Sequence, residues 1–443
     1  MSSIRVPPNT LPGLAPLLSG KLWQRWVKRG QLFPIQELHE SVRYVRLKPT
    51  TSCRVVIFAN DESTEGLPLG FLLHLYADRA RAIEAFRKVR VPKSAVNTLR
   101  FAPFLDEQHA VVAAPFPFDP ELPALRHAYR TFRLKSALSG LLPHLLRGSW
   151  RFSKSQTRME LLAYKPGRRA VFRTTVHLER QQPADVRRLS LHVKVEHTST
   201  VANSYRKLLA LHGASPDGGD WSVPRPLGMV EERGLVASAW GHGRPLIELL
   251  TDPSTDTTIP LASIGRALAG FHRLTVDLSE PHTTLDPGQI ISLSRDIAEL
   301  LPGETTRLAS LGKRLATLAI GWSGSTAGVV HGDFHIGQVV VGSQRILLVD
   351  LDRAGVGHPV VDLGSFLASL VEAGVDAAGR EAFLDGYRQE TSDTLDADLL
   401  RAATAAALFR RVTVPLRQLH PAWPDRIRER LDLIEQFVGT VTS

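Results

Sequence analysis

The chain has 443 residues, a length that favours two or three domains, and its 43% hydrophobic and 22% charged residues are ordinary for a globular protein. Its one cysteine, Cys53, excludes an internal disulfide, and no apolar run approaches the roughly 18 to 20 residues of a membrane helix, so we expect a cytoplasmic protein without a membrane partner. The net charge of +10 is spread along the chain without zinc-ligand spacing or an RNA-binding signature, which disfavours nucleic acid as a partner.

The first half of the chain contains a degenerate repeat. Residues Arg46 to Phe58 resemble Ala163 to Thr175, since each segment has Lys-Pro, a short turn and then a β-rich run. A second apolar strand follows in each copy, and then a helical segment with an aromatic-Arg-Lys triplet (Phe86–Lys88 and Tyr205–Lys207). The copies are offset by 117 residues at Lys-Pro (165 minus 48) and by 119 at Arg-Lys (206 minus 87). The pattern predicts a duplicated β-β-α unit.

Helical periodicity dominates the second half. After a break at Val223 to Gly228 and a short strand from Gly234 to Ala239, apolar residues recur at helical spacing from Ile264 to Leu274 and across much of 290–320. From Asp362 to the end the pattern is again helical, with one short β insertion around 327–350. The predicted order is therefore β-rich, β-rich and then mainly helical.

The β insertion predicts a hairpin that brings two polar side chains together. Apolar runs flank a Gly-Ser turn, and a pairing of Val339 with Val349 also pairs Gln338 with Asp350. Opposed residues have Cβ atoms about 4.5–5.5 Å apart, a span that one divalent cation bridges. Mg²⁺ takes one or two oxygen ligands from protein and the rest from phosphate and water, so Gln338 and Asp350 are candidate metal ligands.

Asp333 lies five residues before Gln338, on the loop that enters the hairpin. There it is placed to accept the proton of an attacking hydroxyl beside a metal that holds phosphate. A base, two metal ligands and a hairpin to hold them are the parts that in-line phosphoryl transfer needs. The alternative is a hairpin with polar ends and no chemistry.

The segment His331-Gly-Asp-Phe-His-Ile-Gly-Gln338, followed by Val349-Asp-Leu-Asp352 and Asp362-Leu-Gly364, resembles the aminoglycoside phosphotransferase and choline kinase superfamily. The resemblance covers roughly residues 155 to 443 and implies a bilobal, protein-kinase-like α+β fold. It also implies that ATP or GTP and Mg²⁺ are the cofactors. We expect a β-rich cap domain that resembles a degenerate N-lobe at 1–150, a nucleotide-binding N-lobe at 151–240 and a helical C-lobe at 241–443.

The resemblance also implies roles for single residues. Asp333 matches the catalytic base, and Gln338 and Asp350 match the metal ligands. Asp362 matches a carboxylate that braces the catalytic loop, and Lys194 matches the lysine that contacts the triphosphate. The remaining implied contacts with the nucleotide come from the turn over the phosphates, Gly167 with Arg168, and from the linker at the adenine edge, Ala237 to Trp240, with Ser238 and Trp240 as its binding residues. The first copy of the repeat has Leu75 where the second has Lys194, so we expect a cap and not a second kinase.

Two departures from the family pattern are visible. Gln338 stands where the family usually has Asn, a form that resembles the bacterial maltokinase-type sugar kinases, which also carry an N-terminal cap. The sequence after Asp350 does not match that group. Secondly, the helix after Lys194 normally offers a Glu to pair with the lysine, but 197–214 contains no acidic residue, and Glu196 is a poor substitute.

Other residues keep two interpretations each. His331 is expected to hold the loop through its ring nitrogens, while His335 either packs in the loop or lies near the phosphate. Asp352 either touches a second metal or caps a turn. Lys194 is alternatively a solvated strand lysine, and Gly167 with Arg168 and Arg169 is alternatively an ordinary hairpin turn.

The acceptor is expected to be a small hydroxylated molecule, with a sugar or amino sugar first and an antibiotic next. Eight acids and two bases lie between Glu372 and Asp398, and local acidity attracts a cation, although a solvated acidic helix face explains the same pattern. Trp240 and Trp423 are candidates for stacking on a sugar ring or for burial. The alternative function is a catalytically impaired, nucleotide-binding scaffold.

Overall fold

A computed structural model describes most of the chain. The described residues are 11–33, 42–48, 50–59, 68–93, 95–96, 101–126, 136–138, 141, 150–181, 184–252, 254–256, 258–278, 286–323, 328–391, 395–420 and 422–439. Ala327, which opens the predicted β insertion, and Asp393, one of the eight acids, lie outside them. Within the described ranges no helix is both long and apolar enough to cross a membrane.

The N-terminal part is a five-stranded antiparallel sheet with helices on both faces. Its strands run in the order β1-β2-β3-β5-β4. The elements are the helices α1 (Leu14–Leu18), α2 (Lys21–Lys28) and α3 (Arg79–Lys88) and the strands β1 (Val42–Lys48), β2 (Ser52–Phe58), β3 (Gly70–Tyr76), β4 (Phe104–Asp106) and β5 (Val111–Pro115).

A second sheet repeats this topology. Its order is β6-β7-β8-β11-β10, so in both sheets one helix connects the third strand to the fourth, and the fifth lies beside the third. The elements are β6 (Trp150–Lys165), β7 (Arg169–Arg180), β8 (Asp185–Glu196), α4 (Thr198–Ala214), β9 (Trp221–Ser222), β10 (Pro226–Val230) and β11 (Leu235–Ala239), of which β9 joins a different sheet.

The strand register corrects one residue of the predicted repeat. Lys194 pairs with Val171 in the second sheet, and the equivalent pair in the first sheet is His74 with Arg54. His74, and not Leu75, therefore occupies the position of Lys194. The error arose because the connections after the first hairpin differ in length, so that the offset of 119 at the helix does not hold in the strand.

The cap sheet is buried on both faces, which explains its long apolar runs. Ile57 and its period-two neighbour Val55 pack under Trp26 of α2, whereas Val56 and Phe58 pack against the second sheet. The second sheet offers one face to this contact, because alternate residues of β7 are buried. The two sheets thus share a core.

The rest of the chain is mainly helical. Its helices are α5 (Leu246–Leu250), α6 (Thr258–His272), α7 (Pro287–Leu300), α8 (Thr305–Ala319), α9 (Val360–Glu372), α10 (Ala377–Gln389), α11 (Ala397–Arg410), α12 (Val414–Arg417) and α13 (Trp423–Gly439). Short strands between them are β12 (Arg244–Pro245), β13 (Gly328–Val330), β14 (Val339–Val341), β15 (Ile346–Leu348) and β16 (Gly355–Gly357). The predicted α+β class, with a β-rich cap, an antiparallel N-lobe and a helical C-lobe, is confirmed.

The cap also contacts the helical lobe. Leu47 of β1 packs against the helical core, and Leu419, which follows α12, packs in the cap core. The cap therefore lies against both of the other parts of the chain.

Candidate active site

A buried carboxylate holds the loop between β13 and β14. Asp362, in the first turn of α9, accepts hydrogen bonds from the backbone N–H of His331 at 2.6 Å and of Gly332 at 2.8 Å. His272 contacts the same carboxylate at 3.1 Å. Burial alone would raise the pKa of Asp362, but the interactions with His272 and His331 hold it below its usual value. Asp362 is therefore an ionised brace for the loop.

Two further contacts fix this loop. The buried ring of His331 reaches the carbonyl oxygen of Val349 through Nε2 at 2.9 Å, which ties the loop to the residue after β15. Phe334 stacks on Phe366 of α9 with a ring-centroid separation of 4.9 Å. His331 thus contacts its surroundings through Nε2, and its role in holding the loop stays a prediction.

The hairpin register differs by one residue from the predicted one. Val339 pairs with Leu348 instead of Val349. Four residues connect the strands, and the N–H of Gly342 donates to the carbonyl oxygen of Arg345 at 3.0 Å. A connection with an even number of residues shifts the pairing by one, so the predicted opposition of Gln338 and Asp350 in the ladder is wrong.

Gln338 and Asp350 nevertheless meet. The backbone of Asp350 is left-handed, with φ 60° and ψ 56°, a conformation that costs a non-glycine residue about 1–3 kcal/mol. This conformation returns the side chain towards Gln338, whose Nε2 lies 3.3 Å from Asp350 Oδ2. The strain is thus located at a predicted metal ligand.

Strand cations neutralise the carboxylates at the end of the hairpin. Lys194 Nζ lies 2.6 Å from Asp352 Oδ1 and 3.3 Å from Glu196 Oε2. Arg169 donates to Asp350 at 2.6 Å and also pairs with Asp352. The helix α4 supplies no acid, so Asp352 and Glu196 together provide the negative charge beside Lys194. Asp352 therefore forms ion pairs with Lys194 and Arg169, and its contact with a second metal stays a prediction.

The donor set fits Mg²⁺. Among the described residues no group of three or more His, Cys, Asp or Glu side chains forms a metal cage, but Mg²⁺ needs only one or two protein oxygens when phosphate supplies others. Rotation of the Gln338 amide by 180° directs its oxygen to Asp350. His335 favours that orientation. Its Nδ1 accepts from the Gly337 N–H at 3.0 Å, so the ring hydrogen lies on Nε2. That N–H, 3.1 Å from the Gln338 amide, can donate to the amide oxygen but not to the amide nitrogen.

His335 is part of the loop packing. Burial, with repulsion from Arg411, lowers its pKa to about 4, so its ring is neutral at pH 7. Of the two interpretations of His335, its contacts with Gly337 and Gln338 favour packing.

Asp333 is held by an arginine that the sequence analysis did not single out. Arg410, the last residue of α11, donates to Asp333 Oδ1 at 2.8 Å. Burial alone would raise the pKa of Asp333, but the guanidinium of Arg410, with that of Arg353, lowers it well below its usual range. Asp333 is therefore ionised, as a proton acceptor must be.

The cap holds the turn that joins β6 to β7. The backbone N–H of Gly167, at φ 65°, donates to Asp119 Oδ2 at 2.6 Å, and Tyr164 donates to the same oxygen at 2.7 Å. Arg54, which pairs with Glu121, donates to the carbonyl oxygen of Pro166. Arg54 thus joins the cap sheet to the turn of the second sheet. The Gly167 N–H points at the cap carboxylate and not at a phosphate position.

A cleft of about 500 Å³ lies between the second sheet and the hairpin. At one end it is lined by Lys194, Gln338 and Asp350, and at the other by Ser238 and Trp240. Its lining as a whole is more apolar than polar, as is usual for a small-molecule site. Gly167 and Arg168 do not belong to this lining.

Trp240 and Trp423 have different surroundings. The guanidinium carbon of Arg173 lies 4.8 Å from the centre of the Trp240 ring, and the backbone N–H of Trp240 donates to the carbonyl oxygen of Ser190. Trp423 is 2% exposed in the helical core, which excludes it from stacking on a sugar.

The acids between Glu372 and Asp398 are engaged elsewhere. The described ones form ion pairs or cap helices: Glu372 with Arg411 and Arg430, Asp376 capping α10, Glu381 and Asp385 with Arg388, Glu390 with Arg273, Asp396 capping α11, and Asp398 with Arg401. These contacts favour the solvated-face interpretation over an acidic acceptor site.

Sequence reasoning missed two residues of this region, Asp119 and Arg410. They come from the cap and from a late helix, and neither belongs to a recognisable motif. Arg169 was named only with the turn at Gly167, and its pairing with Asp350 and Asp352 was not predicted.

An antiparallel lobe above a helical lobe, with a carboxylate loop braced from below, is the architecture of a kinase-like phosphotransferase. The chain belongs to the phosphotransferase enzyme family (APH), whose sequence model matches residues 170–408. The match includes Lys194, Asp333, Gln338 and Asp350, and it leaves out the cap and the turn at Gly167. No protein with a curated description matches the chain.

Several solved structures are similar to the chain at low identity. A choline/ethanolamine kinase family protein from Mesorhizobium loti is 15% identical, with 70% of this chain and 95% of that one covered and a TM-score of 0.46. Aminoglycoside phosphotransferase APH(4)-Ia is 13% identical, with 70% and 99% covered and a TM-score of 0.45. Macrolide 2'-phosphotransferase MphH from Brachybacterium faecium is 18% identical, with 67% and 98% covered and a TM-score of 0.44.

Proposed function

We propose that the chain transfers the terminal phosphate of ATP or GTP to a hydroxyl group of a small molecule, with Mg²⁺ as cofactor. The proposal rests on one observation: Lys194, Gln338 and Asp350 line the same cleft, and the loop that carries Asp333 enters it. Membership of the phosphotransferase enzyme family supports the class of reaction. The acceptors we propose first are sugars and amino sugars, followed by antibiotics.

The nucleotide is proposed to lie with its base at Ser238 and Trp240 and its phosphates at Lys194. Lys194 is buried, and burial lowers its pKa, so the phosphates would replace Asp352 as the partner of an incompletely solvated cation. Arg169 and Lys165 add positive charge on the same side. The turn at Gly167 and Arg168 then closes this end from above, held by the cap.

Gln338 and Asp350 are proposed to hold Mg²⁺, which when bound neutralises charge on the transferring phosphate. Asp333 accepts the proton of the acceptor hydroxyl as its oxygen attacks the terminal phosphorus. His331 and Asp362 keep the loop backbone in place, so that Asp333 needs no reorganisation during the reaction.

The division into a cap at 1–150, a nucleotide-binding lobe at 151–240 and a helical lobe at 241–443 is part of this proposal. The shared strand order of the two sheets supports the first boundary. In this division the cap serves the turn above the phosphates and has no reaction of its own.

The test is a coupled ADP-release screen over sugars, amino sugars, aminoglycosides and amino alcohols, read also by mass spectrometry for one added phosphate. Asp333→Asn should lower kcat by about 10²- to 10⁴-fold, because it removes the general base, while nucleotide affinity is retained. Asp217→Asn is the matched control, since Asp217 is an exposed carboxylate far along the chain from the loop.

Unchanged turnover in Asp333→Asn would exclude Asp333 as the base. Nucleotide binding without turnover of any acceptor would indicate the scaffold function instead.

A further inference from the structure

Arg169 contacts both carboxylates that follow the hairpin. Its Nη2 atom donates to Asp350 Oδ2 at 2.6 Å, and its Nη1 atom donates to Asp352 Oδ2. Lys194 Nζ contacts the other oxygen of Asp352, Oδ1, at 2.6 Å. The planar fork of one arginine thus joins two carboxylates, a strong contact with a specific geometry.

The oxygen of Asp350 that Arg169 contacts is the one that faces Gln338. The Gln338 amide nitrogen lies 3.3 Å from Asp350 Oδ2, the same atom that accepts from Arg169. A metal ion held by Gln338 and Asp350 therefore shares its ligand atom with a guanidinium. Two cations at one carboxylate oxygen repel each other, so Arg169 opposes metal binding while it pairs with Asp350.

Arg169 has space to leave Asp350 without movement of its strand. It is the first residue of β7, and its backbone pairs with Lys165 on one side and Glu196 on the other. Its side chain lines the cleft of about 500 Å³ and also a neighbouring cavity of about 350 Å³ at the start of α4. The guanidinium thus lies in the wall between two open spaces, and rotation of the side chain alone moves it away from the carboxylates.

A triphosphate is the natural competitor for this guanidinium. Arginine binds phosphate with the same paired hydrogen bonds that it forms with carboxylates. In the proposed function the phosphates lie at Lys194, which shares its partner Asp352 with Arg169. A phosphate group that reaches Lys194 is therefore placed to bind Arg169 as well. Transfer of the guanidinium to phosphate frees the Asp350 oxygen for the metal.

An ion pair that only joins the two lobes is the alternative. Such a pair could use any two exposed side chains across the boundary. Arg169 instead lies inside the cleft, on the carboxylate whose left-handed backbone turns it towards Gln338. The position of the contact therefore favours a role in the binding of nucleotide and metal.

Resting on the proposed function, we propose that Arg169 binds the triphosphate and, until it does so, occupies the metal ligand Asp350. Nucleotide and metal then bind cooperatively, because the phosphates remove the cation that opposes the metal. The coupling is reciprocal, since metal raises the affinity for nucleotide by the factor by which nucleotide raises the affinity for metal. Arg169 positions these groups and takes no part in proton transfer.

Binding of Mn²⁺ to the intact protein without nucleotide, followed by electron paramagnetic resonance, tests the metal half of the proposal without turnover. Arg169→Gln should lower the dissociation constant for Mn²⁺ by at least about 10-fold, within the usual range of coupling between two sites. Arg169→Lys keeps the charge but lacks the fork that holds both carboxylates. It should also bind Mn²⁺ more tightly than wild type, and it carries the test if Arg169→Gln does not fold.

Isothermal titration calorimetry with ATP and excess Mg²⁺ tests the phosphate half. Arg169→Gln should raise the dissociation constant for the nucleotide by about 10- to 100-fold, because one hydrogen bond between charged groups is lost. Arg151→Gln is the matched control, since Arg151 is an exposed arginine at the opposite end of β6 in the same sheet, and it should change neither constant. Thermal unfolding of each sample shows whether the fold is retained.

Three outcomes overturn the inference. Equal affinity for Mn²⁺ in wild type and in both Arg169 variants would show that Arg169 does not oppose the metal, and would leave phosphoryl transfer intact. Tighter Mn²⁺ binding with unchanged affinity for ATP would show that Arg169 does not bind the triphosphate. Wild-type protein that binds no nucleotide at all would contradict the proposed function, and this inference with it.

Discussion

Removal of the Asp119 carboxylate should weaken nucleotide binding from outside the cleft. Asp119 is 5% exposed and accepts three hydrogen bonds: from Gly167 N–H at 2.6 Å, from Tyr164 at 2.7 Å and from Glu121 N–H at 2.8 Å. Two of them join the cap to the second sheet. A hydrogen bond to a charged group contributes about 1.5–3 kcal/mol, so Asp119→Ala weakens this contact by about 3–6 kcal/mol before water compensates the freed donors.

The freed turn must then be ordered by the nucleotide. Ordering the backbone of one residue costs about 1–2 kcal/mol, which corresponds to a dissociation constant about 5- to 30-fold higher. Isothermal titration calorimetry with ATP on wild-type protein and Asp119→Ala measures this change directly. Thermal unfolding of the same samples separates weaker binding from loss of the fold.

The matched control is Asp78→Ala. This change removes the N-terminal capping residue of the helix α3, in the same domain, and does not touch the turn at Gly167. Asp78 accepts from Arg81 N–H at 2.8 Å, and loss of such a helix cap costs about 1 kcal/mol. An unchanged dissociation constant in Asp119→Ala, at a melting temperature equal to that of the control, would refute a role of the cap in holding the turn.

Gly167→Ala should also weaken nucleotide binding, since φ is 65° and the new Cβ would lie 2.6 Å from Glu121 Oε2; the same calorimetric titration checks it, and unchanged affinity would contradict it. Gln338→Ala should raise the Mg²⁺ concentration for half-maximal activity by about 10-fold, because it removes one amide ligand; a Mg²⁺ titration of turnover at saturating nucleotide measures this. Burial alone would raise the pKa of Asp362, but His272 and the loop hold this pKa below the value of about 3.9 in the unfolded chain. The stability that ionised Asp362 contributes to the fold is therefore complete above about pH 3.9 and is lost as the pH falls through the folded pKa. Denaturant midpoints below about pH 4 should therefore fall less steeply in Asp362→Asn than in wild type, and parallel curves would contradict the assignment.

The strands and helices were predictable where the periodicity is strong. The duplicated β-β-α unit follows from Lys-Pro turns and apolar runs, and the helices of the second half follow from their spacing. The strand register was not predictable to the residue, because the length of the connecting turn sets it. The predictions at Leu75 and in the Val339–Val349 pairing were each wrong by one residue. The side chains of Gln338 and Asp350 meet through a left-handed backbone that sequence patterns do not encode.

The candidate site was predictable only as far as its motif extends. The loop and hairpin residues are close in sequence, so their spacing carries the geometry. Arg410 and Asp119 reach the site from 77 residues after Asp333 and 48 residues before Gly167, and only tertiary packing reveals such pairs. The missing partner of Lys194 is a third case, since Asp352, 158 residues away, supplies it.

On the proposed function, contact of the cap with both lobes bears on how a nucleotide enters and leaves. Asp119 of the cap binds the second sheet at Gly167, while packing of Leu47 and Leu419 joins the cap to the helical lobe. Because the cap is attached to both lobes, it resists their separation. If the lobes move apart, either the contact at Gly167 or the packing of Leu47 and Leu419 must break. On the proposed function, we expect any opening of the lobes for product release to include an undocking of the cap.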